Sequence, residues 1–306
     1  MLENLWSSNN LDNLIKFYKF INNPEKAYNF SINRKKPDIK IYHHHNNNSS
    51  ICFIIPTISI DNFLKTSYWN LVSRFDAVIV ESGGQYFNYA RSINNGICEA
   101  LKYDYKTLIL SNDDMEIIDN GDKLSEEIEN LREFDIILPT KIRKGKSNFS
   151  ISNQFNIVNF NAITRYTNYI NWFINKNANF NEFRAILKGI DGYKYTIFEG
   201  SGNKKLDNLI LKFLKIKYGK IPLFNSFGIF KRSVLEKENM DETFINGKED
   251  YEFVIRLVND KFSFGKSSFR IADIGGQSLN KYNNNLRILK DLLSELILNY
   301  YIENYF

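Results

Sequence analysis

Apolar positions along this chain follow two spacings. Leu14, Ile15, Tyr18 and Ile21 recur at helical intervals, which predicts a helix over residues 11–21, closed by the breaker Asn22-Asn23-Pro24. From residue 51 the pattern changes to short, continuous apolar runs. Ile51-Cys52-Phe53-Ile54-Ile55 stops at Pro56, Asp76-Ala77-Val78-Ile79-Val80 at Glu81-Ser82-Gly83-Gly84, and Thr107-Leu108-Ile109-Leu110 at Ser111-Asn112-Asp113-Asp114. Asp135-Ile136-Ile137-Leu138 is halted by Pro139. Runs of this kind read as strands buried on both faces, the condition of a parallel sheet. The intervening stretches, residues 61–75, 92–101 and 123–132, read as helices. Strand alternating with helix predicts a doubly wound α/β sheet. Small and polar residues gather where the strands end, the edge at which open α/β sheets bind ligands.

The flanks are less regular. His43-His44-His45-Asn46-Asn47-Asn48-Ser49-Ser50 reads as a polar loop. Three adjacent histidines invite a metal, but sequence neighbours do not converge on one ion unaided. Residues 140–222 carry the basic stretch Lys141, Arg143, Lys144 and Lys146. Phe155, Phe160, Tyr166, Tyr169, Trp172, Phe173, Phe180 and Phe183 follow. This segment reads as a partly helical insertion covering one side of the sheet. In residues 285–306, Leu286, Leu289, Leu293, Leu296 and Tyr300 share one helical face. The expected organisation is an extension over 1–50, a core domain over 51–282 and a C-terminal amphipathic helix over 283–306. No internal repeat is present.

Composition narrows the class. The 306 residues are 43% hydrophobic, enough for a sizeable core, and the net charge of +5 is spread thinly. Such a charge argues against nucleic acid as the main ligand and agrees with an anionic small substrate. The two cysteines, Cys52 and Cys98, lie in apolar stretches and read as core residues. The first residues do not resemble a signal peptide, and no apolar run reaches the roughly 18–20 residues that span a bilayer. The expectation is a cytoplasmic protein. The C-terminal helix and basic stretch could touch a membrane surface, pack on the domain, or form a homo-oligomer contact.

Three sites carry candidate chemistry. Asn112-Asp113-Asp114 follows a buried strand, where carboxylates are costly unless solvated, hydrogen-bonded or bound to a metal. Their oxygens suit Mg2+ or Mn2+; a turn or helix cap explains them equally well. Glu249-Asp250 opens a helical pattern continued by Phe253, Val254, Leu257 and Val258. A carboxylate there could act as a general base, although acids also favour a first helical turn for its dipole. Gly275-Gly276-Gln277-Ser278, after the apparent strand at residues 269–273, allows a closing loop or a plain turn.

Taken in order, these pieces resemble family 2 glycosyltransferases of the GT-A fold, over roughly residues 51–138 and 223–278. The resemblance rests on Ile54-Ile55-Pro56-Thr57, Glu81, Asn94-Asn95-Gly96-Ile97, the DxD-like Asn112-Asp113-Asp114-Met115-Glu116, Met240-Asp241-Glu242-Thr243-Phe244 and Gly247-Lys248-Glu249-Asp250. It implies a GT-A sheet, mostly parallel and flanked by helices. It further implies a nucleotide-diphosphate sugar donor, Mn2+ or Mg2+, and a hydroxyl acceptor on a glycan or a lipid-linked glycan. Pro56, Thr57, Glu81 and Asn94 would line the nucleoside pocket. Asp114, with Asn112 or Asp113, would bind metal and diphosphate. Asp250 would be the general base, with Glu249 beside it. The family often has a metal-ligating His near the Gly-Gly-Ser loop; no His follows position 45, and Asp273 stands in that region.

Two rival readings differ in class. A sugar-nucleotide nucleotidyltransferase needs a glycine-rich loop after its first strand, and Pro56-Thr57-Ile58-Ser59-Ile60 has none. A degenerate binding protein would keep the donor pocket without turnover.

Overall fold

The computed structural model describes residues 1–46, 50–84, 86–119, 121–143, 149–150, 154–159, 186, 189–199, 207–208, 211–212, 216–224, 226–245, 247–273 and 284–306. Three helices come first, α1 (Leu2–Trp6), α2 (Leu11–Phe20) and α3 (Pro24–Ile32). Asn10 caps α2 by accepting from Asn13 N, and Asn23 caps α3 by accepting from Lys26 N, with Pro24 in the first turn. The chain then lays down β1 (Lys40–His44), β2 (Ile51–Thr57), α4 (Ile60–Phe63), α5 (Trp69–Val72), β3 (Asp76–Glu81), α6 (Tyr89–Ala100), β4 (Thr107–Ser111), β5 (Met115–Ile117) and α7 (Gly121–Glu129). After α7 come β6 (Ile136–Arg143), β7 (Phe149–Ser150), β8 (Gln154–Asn159), β9 (Tyr195–Phe198), β10 (Ile216–Pro222) and β11 (Phe227–Lys231). The described chain ends with α8 (Arg232–Leu235), α9 (Glu249–Asn259), β12 (Phe264–Asp273) and α10 (Asn284–Asn304).

The main sheet runs β1-β3-β2-β4-β11-β6-β12-β5, with β7 beside β6. β2, β3, β4, β6 and β12 point the same way, while β1, β11 and β5 oppose them. The protein is therefore α/β, with a mainly parallel core. Alternation along each strand feeds two faces. Ile54, Val78, Val80, Leu108 and Leu110 join one apolar cluster with α2, α6, α9 and α10. Phe53, Ile55, Ala77, Ile79, Ile109, Ile229 and Ile271 join the other, under α4, α5 and α7. A second sheet, β10-β8-β9, is antiparallel; Phe155 and Ile157 of β8 reach the first cluster.

Several expectations change. His43 and His44 belong to β1, which is zipped antiparallel onto β3, so residues 40–44 complete the sheet that the extension was expected to precede. The helix expected over 61–75 is two short helices. The helix expected from Ser92 starts at Tyr89, capped by Asn88, and the Asn94-Asn95-Gly96-Ile97 element lies inside it. β6 continues through Pro139. The β6–β12 register slips between Lys266–Leu138 and Arg270–Thr140, so the proline's missing N–H falls where the ladder is already interrupted. The middle segment, expected to be partly helical, contributes four described strands, β7 to β10, with helical residues at 186, 207–208 and 211–212. Of its residues, Phe160, Tyr166, Tyr169, Trp172, Phe173, Phe180, Phe183, Lys144 and Lys146 lie outside the described residues, as does the Gly275-Gly276-Gln277-Ser278 loop.

Cys52 is buried, but Cys98 is exposed: α6 turns Ile93, Gly96, Ile97 and Ala100 inward and Cys98 out. In α10, Leu289, Leu292, Leu293, Leu296, Ile297 and Leu298 are all buried, so the helix is enclosed well beyond the single stripe expected. Tyr18 donates to the Leu289 carbonyl, tying α2 to it. No described helix is long and apolar enough to cross a membrane.

Gly96 sets the approach of α6 to the sheet. A Cβ there would overlap Ile54 Cγ2 and lie 3.1 Å from Val80 Cγ2. Gly96→Val should therefore cost at least ~1–3 kcal/mol through overpacking. Cys98→Ser on the outer face should stay within about 0.5 kcal/mol of wild type. Urea midpoints of the two variants check both expectations.

Candidate functional site at the carboxyl edge

β4 delivers the first part of the site. Ser111 is buried at its end, and its Oγ lies 2.5 Å from the Tyr68 hydroxyl. Asn112 N donates to Ser226 O across 3.0 Å, which fixes the turn to the segment entering β11. Asp113 Oδ2 accepts from Thr57 Oγ1 at 2.6 Å, so the ends of β2 and β4 are joined by a side-chain bond. Burial pushes the Asp113 carboxyl pKa upward, and the Thr57 bond opposes it. Asn112 Oδ1 is buried with no hydrogen-bond partner among the described residues. Asp114 follows, half-buried. Asp273 pairs in register with Met115, which brings its backbone beside this turn.

The second part is the start of α9. Lys248 takes a left-handed backbone (φ 71°), a conformation costly for a non-glycine residue, and Glu249 and Asp250 follow in the first helical turn. Glu249 is buried and its Oε2 accepts from Gly247 N at 2.6 Å. Burial, reinforced by the charge of Asp250, raises the Glu249 carboxyl to about 8, so it holds its proton at neutral pH. Asp250 is half-buried, its Oδ1 3.0 Å from Tyr251 N. Burial disfavours the Lys248 ammonium, but the charges of Asp291, Glu295, Glu199 and Asp250 outweigh it and keep Lys248 cationic.

Helix α6 joins the two parts. Asn88 Oδ1 caps the helix through Arg91 N at 2.8 Å, while Nδ2 donates to Glu242 O at 2.7 Å and Phe244 O at 3.1 Å. Six residues on, Asn94 pairs with both backbone groups of Met240, at 2.8 and 2.9 Å. The loop leading to α9 is thus pinned to α6. Between these anchors stands Tyr89. Its hydroxyl is buried and has no hydrogen-bond partner among the described residues. Its pKa is raised well above the usual phenol range, first by burial and then by Glu249, Asp250, Asp114 and Asp113. All four carboxylates from the two motifs therefore lie within electrostatic reach of one phenol.

The remaining sequence candidates are placed as follows. Pro56 is buried in β2, in register with Val80. Glu81 Oε2 accepts from Ile60 N at 2.9 Å, at the first turn of α4. The Asn94 amide is committed to Met240 and Glu242. His43, His44 and His45 face separate partners, Glu99 at 3.3 Å, Ser73 O at 3.0 Å and Asp76 at 3.7 Å. Among the described residues, no three His, Cys, Asp or Glu side chains are grouped to hold a metal ion. A cation at the 112–114 turn would have the orphaned Asn112 oxygen and the Asp114 carboxylate. Such a pair of oxygens fits a hard divalent ion that takes its other ligands from phosphate and water.

Tyr89, Asn88 and Tyr68 were not singled out in the sequence. Asn88 had a legible signal, a capping residue ahead of an amphipathic run; a lone Tyr in a first turn has none.

No protein-family model matches this sequence, and no curated protein matches it. Among solved structures the chain is similar to the crystal structure of A197 from STIV, at 15% identity and a TM-score of 0.34. The match covers 72% of this chain and 83% of that one.

Glu249 gives a testable pH dependence. Its folded pKa lies above the unfolded value, so the native state binds the extra proton and its contribution is complete below the unfolded pKa. That stability is lost as pH rises from about 4.5 through about 8. Glu249→Gln keeps an acceptor for Gly247 N and removes the titration. At pH 8.5 the variant should melt at least ~2–4 °C above wild type, the shift expected for about 1 kcal/mol. At pH 5 the difference should shrink. Differential scanning calorimetry at the two pH values reads it directly.

Proposed function

We propose that this protein is a metal-assisted, inverting glycosyltransferase of GT-A type. It would move a sugar from a nucleotide-diphosphate donor to a hydroxyl on a glycan or lipid-linked glycan. The observation that carries this reading is that Asp113, Asp114, Glu249 and Asp250, from two segments far apart in sequence, all act electrostatically on the buried Tyr89 hydroxyl. The mainly parallel sheet and the helices on both its faces support the same reading.

In this mechanism the donor diphosphate lies against the 112–114 turn, with the nucleoside toward the ends of β2 and β3. Asn112 and Asp114 are the residues that would hold Mg2+ or Mn2+, with Asp273 close by along the backbone. An ion held by these residues would offset charge on the departing diphosphate. Asp113 is spent on Thr57 and keeps the turn in place. Asp250 is the general base. Its partner Glu249 is neutral at pH 7, so Asp250 carries the negative charge of the pair and can accept the acceptor's proton. Attack from the face opposite the diphosphate inverts the anomeric centre.

A second reading, donor binding without turnover, is motivated by Asn112 at the first position of the DxD-like motif and by the lack of a His after position 45. Thermal shift against UDP-, GDP-, dTDP- and CMP-sugars, with and without Mn2+, tests the donor site first. We expect one nucleotide class to stabilise the protein, and to do so only with metal. Asp114→Ala should abolish that shift. Asp250→Asn should retain it and lower transfer at least ~100-fold, in line with loss of a general base. Transfer by Asp250→Asn at the wild-type rate would remove Asp250 from the base role, and a metal-dependent shift without any transfer would favour the binding-only reading.

A further inference from the structure

We propose that Tyr89 contacts the sugar of the bound donor, its hydroxyl donating a hydrogen bond to an oxygen of the group being transferred. This inference rests on the donor reading above and adds to it a residue and the part of the substrate it recognises.

Tyr89 is held in place by structure around it. Asn88, the preceding residue, caps α6 and binds two carbonyls of the 242–244 loop. Tyr89 opens α6, and its ring packs on the larger apolar cluster. The charges of Glu249, Asp250, Asp114 and Asp113 all act on its hydroxyl. It is buried with no hydrogen-bond partner among the described residues, and leaving a buried hydroxyl unsatisfied is unfavourable. That cost is recovered when a ligand supplies an acceptor. Asn112 Oδ1, in the neighbouring turn, is also buried and unpaired. A donor and an acceptor, both desolvated and unused, suit a ligand that offers both functions.

The chemistry of the surroundings points to a sugar hydroxyl. Ionised carboxylates only accept hydrogen bonds, so a site built from them alone can receive hydroxyl protons but can give none. A sugar hydroxyl both donates and accepts. Glu249 keeps one proton, and Tyr89 adds a second donor whose surroundings keep it protonated: burial first, then the neighbouring acids, raise the phenol well above its usual range. In the donor reading the transferred group lies between the Asp113-Asp114 turn and the Glu249-Asp250 pair, and both act electrostatically on this hydroxyl.

Tyr89→Phe removes only an oxygen that has no partner, so the fold is retained. The test compares two ligands on the full-length wild type and variant, by calorimetry in the presence of Mn2+. One is the nucleotide sugar identified by the thermal-shift panel, and the other is the corresponding nucleoside diphosphate, which lacks the sugar. We expect Tyr89→Phe to weaken the nucleotide sugar about 5- to 10-fold, the size of one lost hydrogen bond, and to leave the nucleoside diphosphate within about 2-fold. Equal weakening of both ligands, or of neither, overturns the sugar contact while the donor site stands. Wild-type protein that binds no nucleotide sugar overturns the donor reading and this inference with it.

Discussion

Two asparagine side chains, Asn88 at the cap of α6 and Asn94 within it, hold the working edge of this protein together. Asn88 and Asn94 between them bind the backbone at Met240, Glu242 and Phe244. These are bonds from a helix to an irregular loop, and they satisfy backbone groups that would otherwise be stranded beside an apolar core. Glu242 adds to the seam, since its carboxylate meets both Arg91 at 3.4 Å and Lys36 at 3.0 Å. The loop cannot move without breaking several of these contacts together. Because it leads directly into α9, the position of Glu249 and Asp250 follows from that seam.

The sheet supplies the other half. Strand β11 runs against its neighbours between β4 and β6, returning the chain from the carboxyl edge to the amino edge. The loop after α8 must then climb back, and it does so along α6. The two acidic motifs, distant in sequence, are thereby brought to one end of the sheet. Bringing carboxylates together is unfavourable, and the molecule accommodates it in three ways. Asp113 is satisfied by Thr57, Glu249 keeps its proton, and Lys248 stays cationic under the charges of Asp291, Glu295, Glu199 and Asp250. Lys248 does so from a left-handed backbone, a strain that the first turn of α9 absorbs.

The C-terminal helix is a second dependency. α10 lies against α3 and α2, and its residues reach the same loop: Ser294 Oγ donates to Ile245 O at 3.2 Å, and Tyr301 donates to the Asp241 carboxylate. The first and last segments of the described chain therefore pack together over the face of the sheet that carries α6 and α9. Residues that read as appendages at either end brace the loop from behind.

What the sequence determined by itself was the alternation of buried strands and helices, because continuous apolar runs ending in polar residues admit few other structures. It also marked the 112–114 turn and the 249–250 pair, since carboxylates at the ends of apolar runs are conspicuous on solvation grounds. Strand β1 was hidden, because an edge strand made of Lys40, Tyr42, His43 and His44 has no apolar signature and is defined only by its partner β3. The course of β6 through Pro139 was hidden for a similar reason, as the proline is tolerated only where β12 slips in register. Tertiary structure alone decided that Asn94 faces the 240 loop and that the Tyr89 hydroxyl is buried with no partner among the described residues. Spacing along the chain encodes which face a residue occupies; it does not encode which distant segment will meet that face, and the chemistry of this site depends on that meeting.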